Sequence, residues 1–490
     1  MTGYPSRRLA AFSLAVLCLA LPVSAQWSDD PSTNLVLSDR SGEQVQPKVV
    51  ATPDGGAYVS WFDNSDGGYD VYLQRVDAAG VEQWAHNGIL IADRGYSSTQ
   101  DYGLAIDSAG NALLTYRDDQ SAFERISANK VSPAGEPLWG PNGVQLTDIP
   151  DFIAAPAIAG TSDGGAVVAW TQDVNSVAQK LDASGTAQWG AGVVMAPGGS
   201  SLSVSDVQAA DGGAAIVSMV HSGGGGGPRH IWSQKLASAD GAPLWGASPL
   251  PIFDLAGGSL QFGNFPEFVA DGSGGAIFAW YTSSPSLQCW VQRVSSAGVE
   301  LFAHNGVETS TNGARLRTSP AASFGPATQE TFIFWVESNG AQSQFGVYGQ
   351  KLNAAGVRQW TDDGKELVAL GSSQMSFIQN AAADDGALVS WIDSLTFGND
   401  PIRGTRVDSD GDFVWTPSLR DLATDATSSS RLDGTLSASG FGIYAWSDGA
   451  TGSADILAQN LNLDGSLGPN SIFADGFESG DTSAWSSVVP

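Results

Sequence analysis

Cysteine is almost absent: the 490 residues contain two, too few for a disulfide scaffold or a cysteine-based zinc site. Basic residues are scarce as well. There are 22 Lys and Arg against 51 Asp and Glu, for a formal net charge of -29. That balance argues against nucleic acid or an anionic membrane surface as the main partner. Charged residues make up only 15% of the chain while the hydrophobic fraction is an ordinary 42%, which argues against wholesale disorder. Beyond the first 25 residues no apolar run is long enough for a membrane helix. What the chain has in quantity is glycine, 60 residues, and tryptophan, 16 residues. The pairing suggests many short strands and turns in place of helices.

The N-terminus reads as an export signal. Arg7 and Arg8 precede an apolar run from Leu9 to Leu21, and Pro22-Val23-Ser24-Ala25 follows as a small-residue cleavage pattern. The run is too short to span a bilayer comfortably. Residues 1–25 carry two arginines and no acid, so cleavage would move the charge from -29 to -31. Cys289 would then be the only thiol, and no intramolecular disulfide could form. The expected location is periplasmic, cell-surface or extracellular.

One repeat accounts for residues 26–469. Its first copy reads "PKVVATPDGGAYVSWFDNSDGGYDVYLQRVDAAGVEQWAHNGILIAD". A Gly-rich turn precedes an apolar strand ending in Trp61, Tyr116, Trp170, Met219, Trp280, Trp335, Trp391 or Trp446. Seven steps separate the first of these from the last, a period of about 55 residues. A Gln-basic pair follows, as in Gln74-Arg75, Gln179-Lys180, Gln234-Lys235, Gln292-Arg293 and Gln350-Lys351. Then come a tight Gly turn and a second aromatic: Trp84, Trp139, Trp189, Trp245, Phe302, Trp360 and Trp415. Each unit holds four short segments, either apolar runs such as "AVVAW" or alternating stretches such as "DVYLQRV". Eight units of four strands predict an all-β fold, an eight-bladed β-propeller of four-stranded antiparallel blades.

The ends of the repeat predict how the ring closes. The eighth unit stops after Asp464-Gly465 without a second tryptophan or a final strand. Gln26-Trp27 followed by Asn34-Leu35-Val36-Leu37 matches Gln83-Trp84 followed by Gly88-Ile89-Leu90-Ile91. The N-terminal strand is therefore expected to complete the last blade and remove the free sheet edges.

These motifs also carry resemblances. "GGA-x-x-x-W" with "Q-[RK]-[VL]-D-x-x-G-x-x-x-W" and "N-G" resembles a repeat of secreted, mostly uncharacterised bacterial proteins, a family that implies no particular activity. "VDAAGVEQW", "LDASGTAQW" and "LNAAGVRQW" are also similar to the tryptophan-docking motif of quinoprotein-type eight-bladed propellers, with Ala79, Ser184 and Ala355 where that motif has Thr. Residues 470–490, an acidic tail containing "SIFADGFESGDTSAWSSVVP", resemble a short tail of secreted Gram-negative proteins.

In-register repetition marks the aromatics as packing residues between blades, and at the basic positions a long stem can cover a Trp face while the charge reaches solvent or a carboxylate. His86 and His304 sit in repeated "AHNG" turns. His221 and His230 flank the Gly223–Gly227 run without a convincingly spaced acidic or cysteine partner. Asp408, Asp410 and Asp412 resemble a calcium loop but lack its twelfth-position Glu. No metal, cofactor or catalytic residue is therefore assigned. Acids recur two residues after the first aromatic: Asp63, Asp118, Glu337, Asp393 and Asp448. They are read either as turn caps or as the rim of a binding face. The first-to-second and third-to-fourth turns are short and uniform. The second-to-third and fourth-to-first connections vary and share one face, where a ligand is expected.

The function expected from these features is a secreted, non-enzymatic, monomeric binding or scaffold propeller for an extracellular protein or polysaccharide, with no nucleic acid and no membrane span. The alternative is a propeller enzyme with its site in the central funnel, either a quinoprotein-like oxidoreductase or a carbohydrate-active enzyme.

Overall fold

A computed structural model of the chain describes residues 26–469 apart from 96–101, 120–122, 197, 225, 397 and 426. The expected signal segment, residues 1–25, and the acidic tail, residues 470–490, lie outside the described residues.

Eight antiparallel sheets form the eight blades of a β-propeller. In blade 1 the strands are Gln44–Ala51, Ala57–Asp63, Asp70–Val76 and Ile89–Ala92, paired in sequence order. The second strand is buried along its whole length, which is why it reads in the sequence as an unbroken apolar run. Blade 5 departs from the pattern. Its first strand is split into Ser259–Leu260 and Phe268–Ala270, both paired with Ala276–Ser284.

Ring closure is as the sequence predicts. Leu35–Ser38 pairs with Asp455–Asn462 and supplies the fourth strand of blade 8, with Leu35 opposite Ala458. Trp27, 1% exposed, packs with Leu37 of that blade and with Val59 and Trp61 of blade 1. The remaining apolar clusters likewise join neighbouring blades. Trp139 lies with Val168 and Trp170, and Trp245 lies with Phe278 and Trp280. A single blade has no core of its own, and stacking supplies one.

The second aromatic reaches across each seam. Trp27 Nε1 donates to Ala78 O at 3.1 Å, Trp139 to Ala183 O at 3.1 Å and Trp415 to Leu463 O at 2.9 Å. The indole lies over the glycine of the next blade's third-to-fourth turn. At Gly80 (φ 82°) a Cβ would meet the Trp27 ring at 2.5 Å, and at Gly185 (φ 86°) the Trp139 ring at 2.9 Å. That glycine is required twice over, for its left-handed backbone and for the close ring. The repeated glutamine holds the same aromatic from its own blade. Gln179 Oε1 accepts from the Trp189 backbone N–H at 2.9 Å, and Nε2 donates to Gly190 O at 3.0 Å.

The basic position pairs with the acid of the first-to-second turn of its own blade: Lys130 with Asp107 at 2.6 Å, Lys180 with Asp163 at 2.5 Å, Lys351 with Glu330 at 3.1 Å, and Arg406 with Asp384 at 2.7 Å. The first of these pairs is deeply buried, Lys130 at 6% and Asp107 at 0% side-chain exposure. Burial works to raise the Asp107 pKa, but the Asn111 and Lys130 hydrogen bonds outweigh it and hold the carboxyl below its ordinary value. Seven ion pairs of this kind circle the short-turn face. The eighth place is neutral, with Asn460 Nδ2 donating to Gly468 O at 2.6 Å.

Candidate functional site

The first strand of each blade lines the central channel, and several of these strands are bulged. Gln46, Ala155, Ser319, Phe377 and Arg431 each take a left-handed backbone, with φ between 49° and 56°, and the pairing register slips beside each of them. A non-glycine residue held in that region is uncommon, and such residues gather at functional sites. In blades 1, 4, 7 and 8 the residues after the slip are Lys48 opposite Ser60, Asp206 opposite Ser218, Gln379 opposite Ser390, and Asp433 opposite Ala445. These four line the channel together with Glu267 of blade 5.

The channel contains a cavity of 1110 Å³, and a second recess of 440 Å³ shares Phe265, Glu267 and Gln379 with it. On the variable-loop side its lining includes three phenylalanines from alternate blades: Phe152 (58% exposed), Phe265 (47%) and Phe377 (36%). Arg431 lies over the Phe377 ring, 5.9 Å from its centroid.

The throat holds two carboxyls whose pKa values are raised. Asp206 accepts hydrogen bonds from the Val207 N–H at 2.7 Å and from Gln208 Nε2 at 2.9 Å. Burial, helped by the charge of Glu267, still pushes its pKa up to about 7. Asp433 accepts from the Val49 N–H at 2.7 Å and the Gly434 N–H at 2.9 Å. Burial and then Glu267 raise it to about 6, against the opposing pull of Lys48. Two carboxyls that titrate near neutrality in one concave site can take either side of a hydrogen bond to a ligand.

The five acids singled out by sequence end the second strands, on the variable-loop face. Asp63 (0% exposed) lies 3.3 Å from Arg40 Nε and accepts from the Ser65 N–H at 2.9 Å. Asp118 pairs with Arg125 Nε at 3.3 Å. Glu337 (2% exposed) pairs with Arg317 Nε at 3.1 Å and accepts from Trp335 Nε1 at 2.7 Å. Asp393 pairs with Arg403. Asp448 accepts from the Thr427 and Ser428 N–H groups at 3.1 and 2.9 Å. They stand apart from the channel cavity, which sequence reasoning did not locate. Among the described residues, no group of three or more His, Cys, Asp or Glu is placed to hold a metal ion, and no helix is long and apolar enough to cross a membrane.

No family model matches the sequence, and no curated protein matches it. Among solved structures the chain is similar to prolyl oligopeptidase B from Galerina marginata (TM-score 0.46, 11% identity), matching over 84% of this chain and 56% of that one. The chain thus spans little more than half of that protein's length. It is also similar to a europium-containing methanol dehydrogenase (TM-score 0.46, 12% identity, 85% of each chain) and to an ulvan lyase (TM-score 0.45, 12% identity, 77% of this chain and 96% of that one). These are likenesses of fold.

Proposed function

We propose that the protein is a binding propeller, exported by its N-terminal segment, that takes an extracellular polysaccharide at the variable-loop mouth of the channel. The observation that carries this reading is the pairing of exposed Phe152, Phe265 and Phe377 with a throat of amides and protonatable carboxyls. Aromatic rings suit the C–H faces of sugars, and Gln208, Gln379, Asp206 and Asp433 suit their hydroxyls. In the same reading Asp63, Asp118, Glu337 and Asp393 shape that face by holding Arg40, Arg125, Arg317 and Arg403 at the loop bases, and Asp448 fixes the 427–428 backbone. A glycan array tests the proposal. At least one glycan should bind, and Phe265→Ala with Phe377→Ala should weaken it about tenfold or more. Absence of any glycan ligand, or binding indifferent to the double substitution, would overturn it.

A second reading, a carbohydrate-active enzyme, is favoured by Asp206 alone, since a carboxyl titrating at about 7 beside Glu267 suits general acid–base work. Turnover of a bound glycan that stops in Asp206→Asn while binding persists would select it.

A further inference from the structure

Most of the described cations pair with a carboxylate, whereas blade 4 gathers three basic side chains on the variable-loop face that do not. Arg229 lies over Phe262 at 4.4 Å from the ring centroid, and Phe262 is 76% exposed. His230 stacks near His221 with ring centroids 6.3 Å apart, and His221 lies flat on Trp232 at 4.1 Å and 4°. Ser200 Oγ lies 2.8 Å from His221 Nε2, and Gly258 O lies 3.2 Å from His230 Nε2. None of the three basic side chains pairs with a carboxylate among the described residues. His221 Nδ1 is buried without a hydrogen-bond partner. The segment is continuous with the channel: Phe262 adjoins Gly263–Phe265 of its lining, and Ser205 Oγ donates to Pro266 O at 2.6 Å.

We propose that Arg229, His230 and His221, with the Phe262 and Trp232 rings, form a track leading out from the channel mouth that binds the acidic groups of an anionic polysaccharide, a uronate or a sulfate ester. The inference rests on the polysaccharide reading above and names the class. An arginine over an exposed ring offers stacking and a forked donor in one place, which suits a charged sugar. The net charge of the chain does not forbid it, because exposed charges beyond about 8 Å are screened at physiological ionic strength. The groups facing His221 are Ser200, Trp232 and His230, with Phe253 and the Gly258 carbonyl beyond from the adjoining segment. Burial first, and then His230, holds the His221 pKa below its ordinary value. Protonation of His221 is thus disfavoured in the free site and favoured by a bound anion. Binding strengthens as the pH falls.

Calorimetric titration of the full chain with polygalacturonate, dextran sulfate, uncharged dextran, inorganic sulfate and duplex DNA tests this. At least one of the two acidic polysaccharides binds at pH 5.5 and is about tenfold weaker at pH 8. Dextran and DNA do not match it. Arg229→Gln with His230→Gln, and separately the surface change Phe262→Ala, each cost about tenfold. Arms that bind the uronate polymer or the sulfate ester alone identify the acidic group. Dextran binding equally well would overturn the track but leave the channel reading intact. Equal binding of DNA or of inorganic sulfate, or full binding by both variants, would also overturn it.

Discussion

The two faces of the ring are made by opposite rules. On the short-turn face the same contacts recur from blade to blade: a tryptophan over a glycine, a glutamine holding that tryptophan's backbone, and a cation on a turn carboxylate. On the variable-loop face the contacts differ more from blade to blade, apart from the arginine held by the second-strand acid in four blades. One carries a histidine stack, another an arginine over a phenylalanine, and several an arginine on a buried acid. A contact repeated in register stabilises a seam wherever it occurs. A contact made once has to be explained by its own surroundings. The difference teaches that stability is concentrated on one face and individuality on the other, as expected of variable loops on a rigid scaffold.

The largest way to break that division is at the ring closure. Deleting residues 27–38 removes Trp27 and the strand that pairs with Asp455–Asn462. Thermal unfolding should then show loss of the whole cooperative transition, while Trp27→Ala alone costs about 3–5 kcal/mol in chemical denaturation. A variant melting like the full chain would contradict closure. Next in size is Lys130→Ala, which leaves Asp107 buried without its cation, held only by hydrogen bonds from Ala109 and Asn111. A loss of about 3–5 kcal/mol is expected, measured by urea unfolding, and much less for Arg403→Ala on the other face, where Asp393 is partnered by a 28% exposed arginine.

The channel should show the reverse sign. Asp206 holds its proton up to about 7 in the native state, against an ordinary value of 3.8. The native state therefore binds more protons than the unfolded chain across that window, and stability falls as the pH rises through it. Asp206→Asn should flatten this slope and stabilise the protein above pH 7 by on the order of 3 kcal/mol, read from denaturation midpoints at pH 5 and pH 8. An unchanged slope would mean that the carboxyl is already ionised.

The smallest effect belongs to a pair of matching seams. His86 sits 3.1 Å from Glu82 and 3.2 Å from Asp39, and His304 sits 3.0 Å from Glu300 and 2.9 Å from Asp254. Partial burial works to lower both pKa values, but the flanking carboxylates outweigh it and raise them. The stabilisation is full below the ordinary histidine value and is lost as pH rises through the raised one. Both rings are about half exposed, so His304→Ala should cost no more than about 0.5 kcal/mol at pH 5.5, and nothing at pH 8.5.

Much of the scaffold was legible because its rules are local. Apolar runs between Gly turns mark strands, and Gly80 or Gly185 followed by Gln-Trp marks a seam. The match of Gln26-Trp27 to Gln83-Trp84 revealed closure because both tryptophans do the same job. The channel was not legible. Lys48, Asp206, Gln379 and Asp433 come from four blades, and they share a position defined by backbone register, with no single residue type. The one available signal was the proline that follows the left-handed residue in Gln46-Pro47, Ala155-Pro156 and Ser319-Pro320. The recurring acids were visible as a pattern. Their arginine partners were not, because Arg317 and Arg403 lie on neighbouring strands at no fixed spacing.

The pairing of Leu35 with Ala458 joins residues separated by almost the whole chain. Its loop-closure cost falls due only when nearly everything between has been ordered. A chain still being made has seven blades' worth of strands and no way to finish the eighth. Completion of the ring is therefore a late, all-or-none event, and a polypeptide cut short anywhere before residue 455 is left with an open edge at both ends of its array.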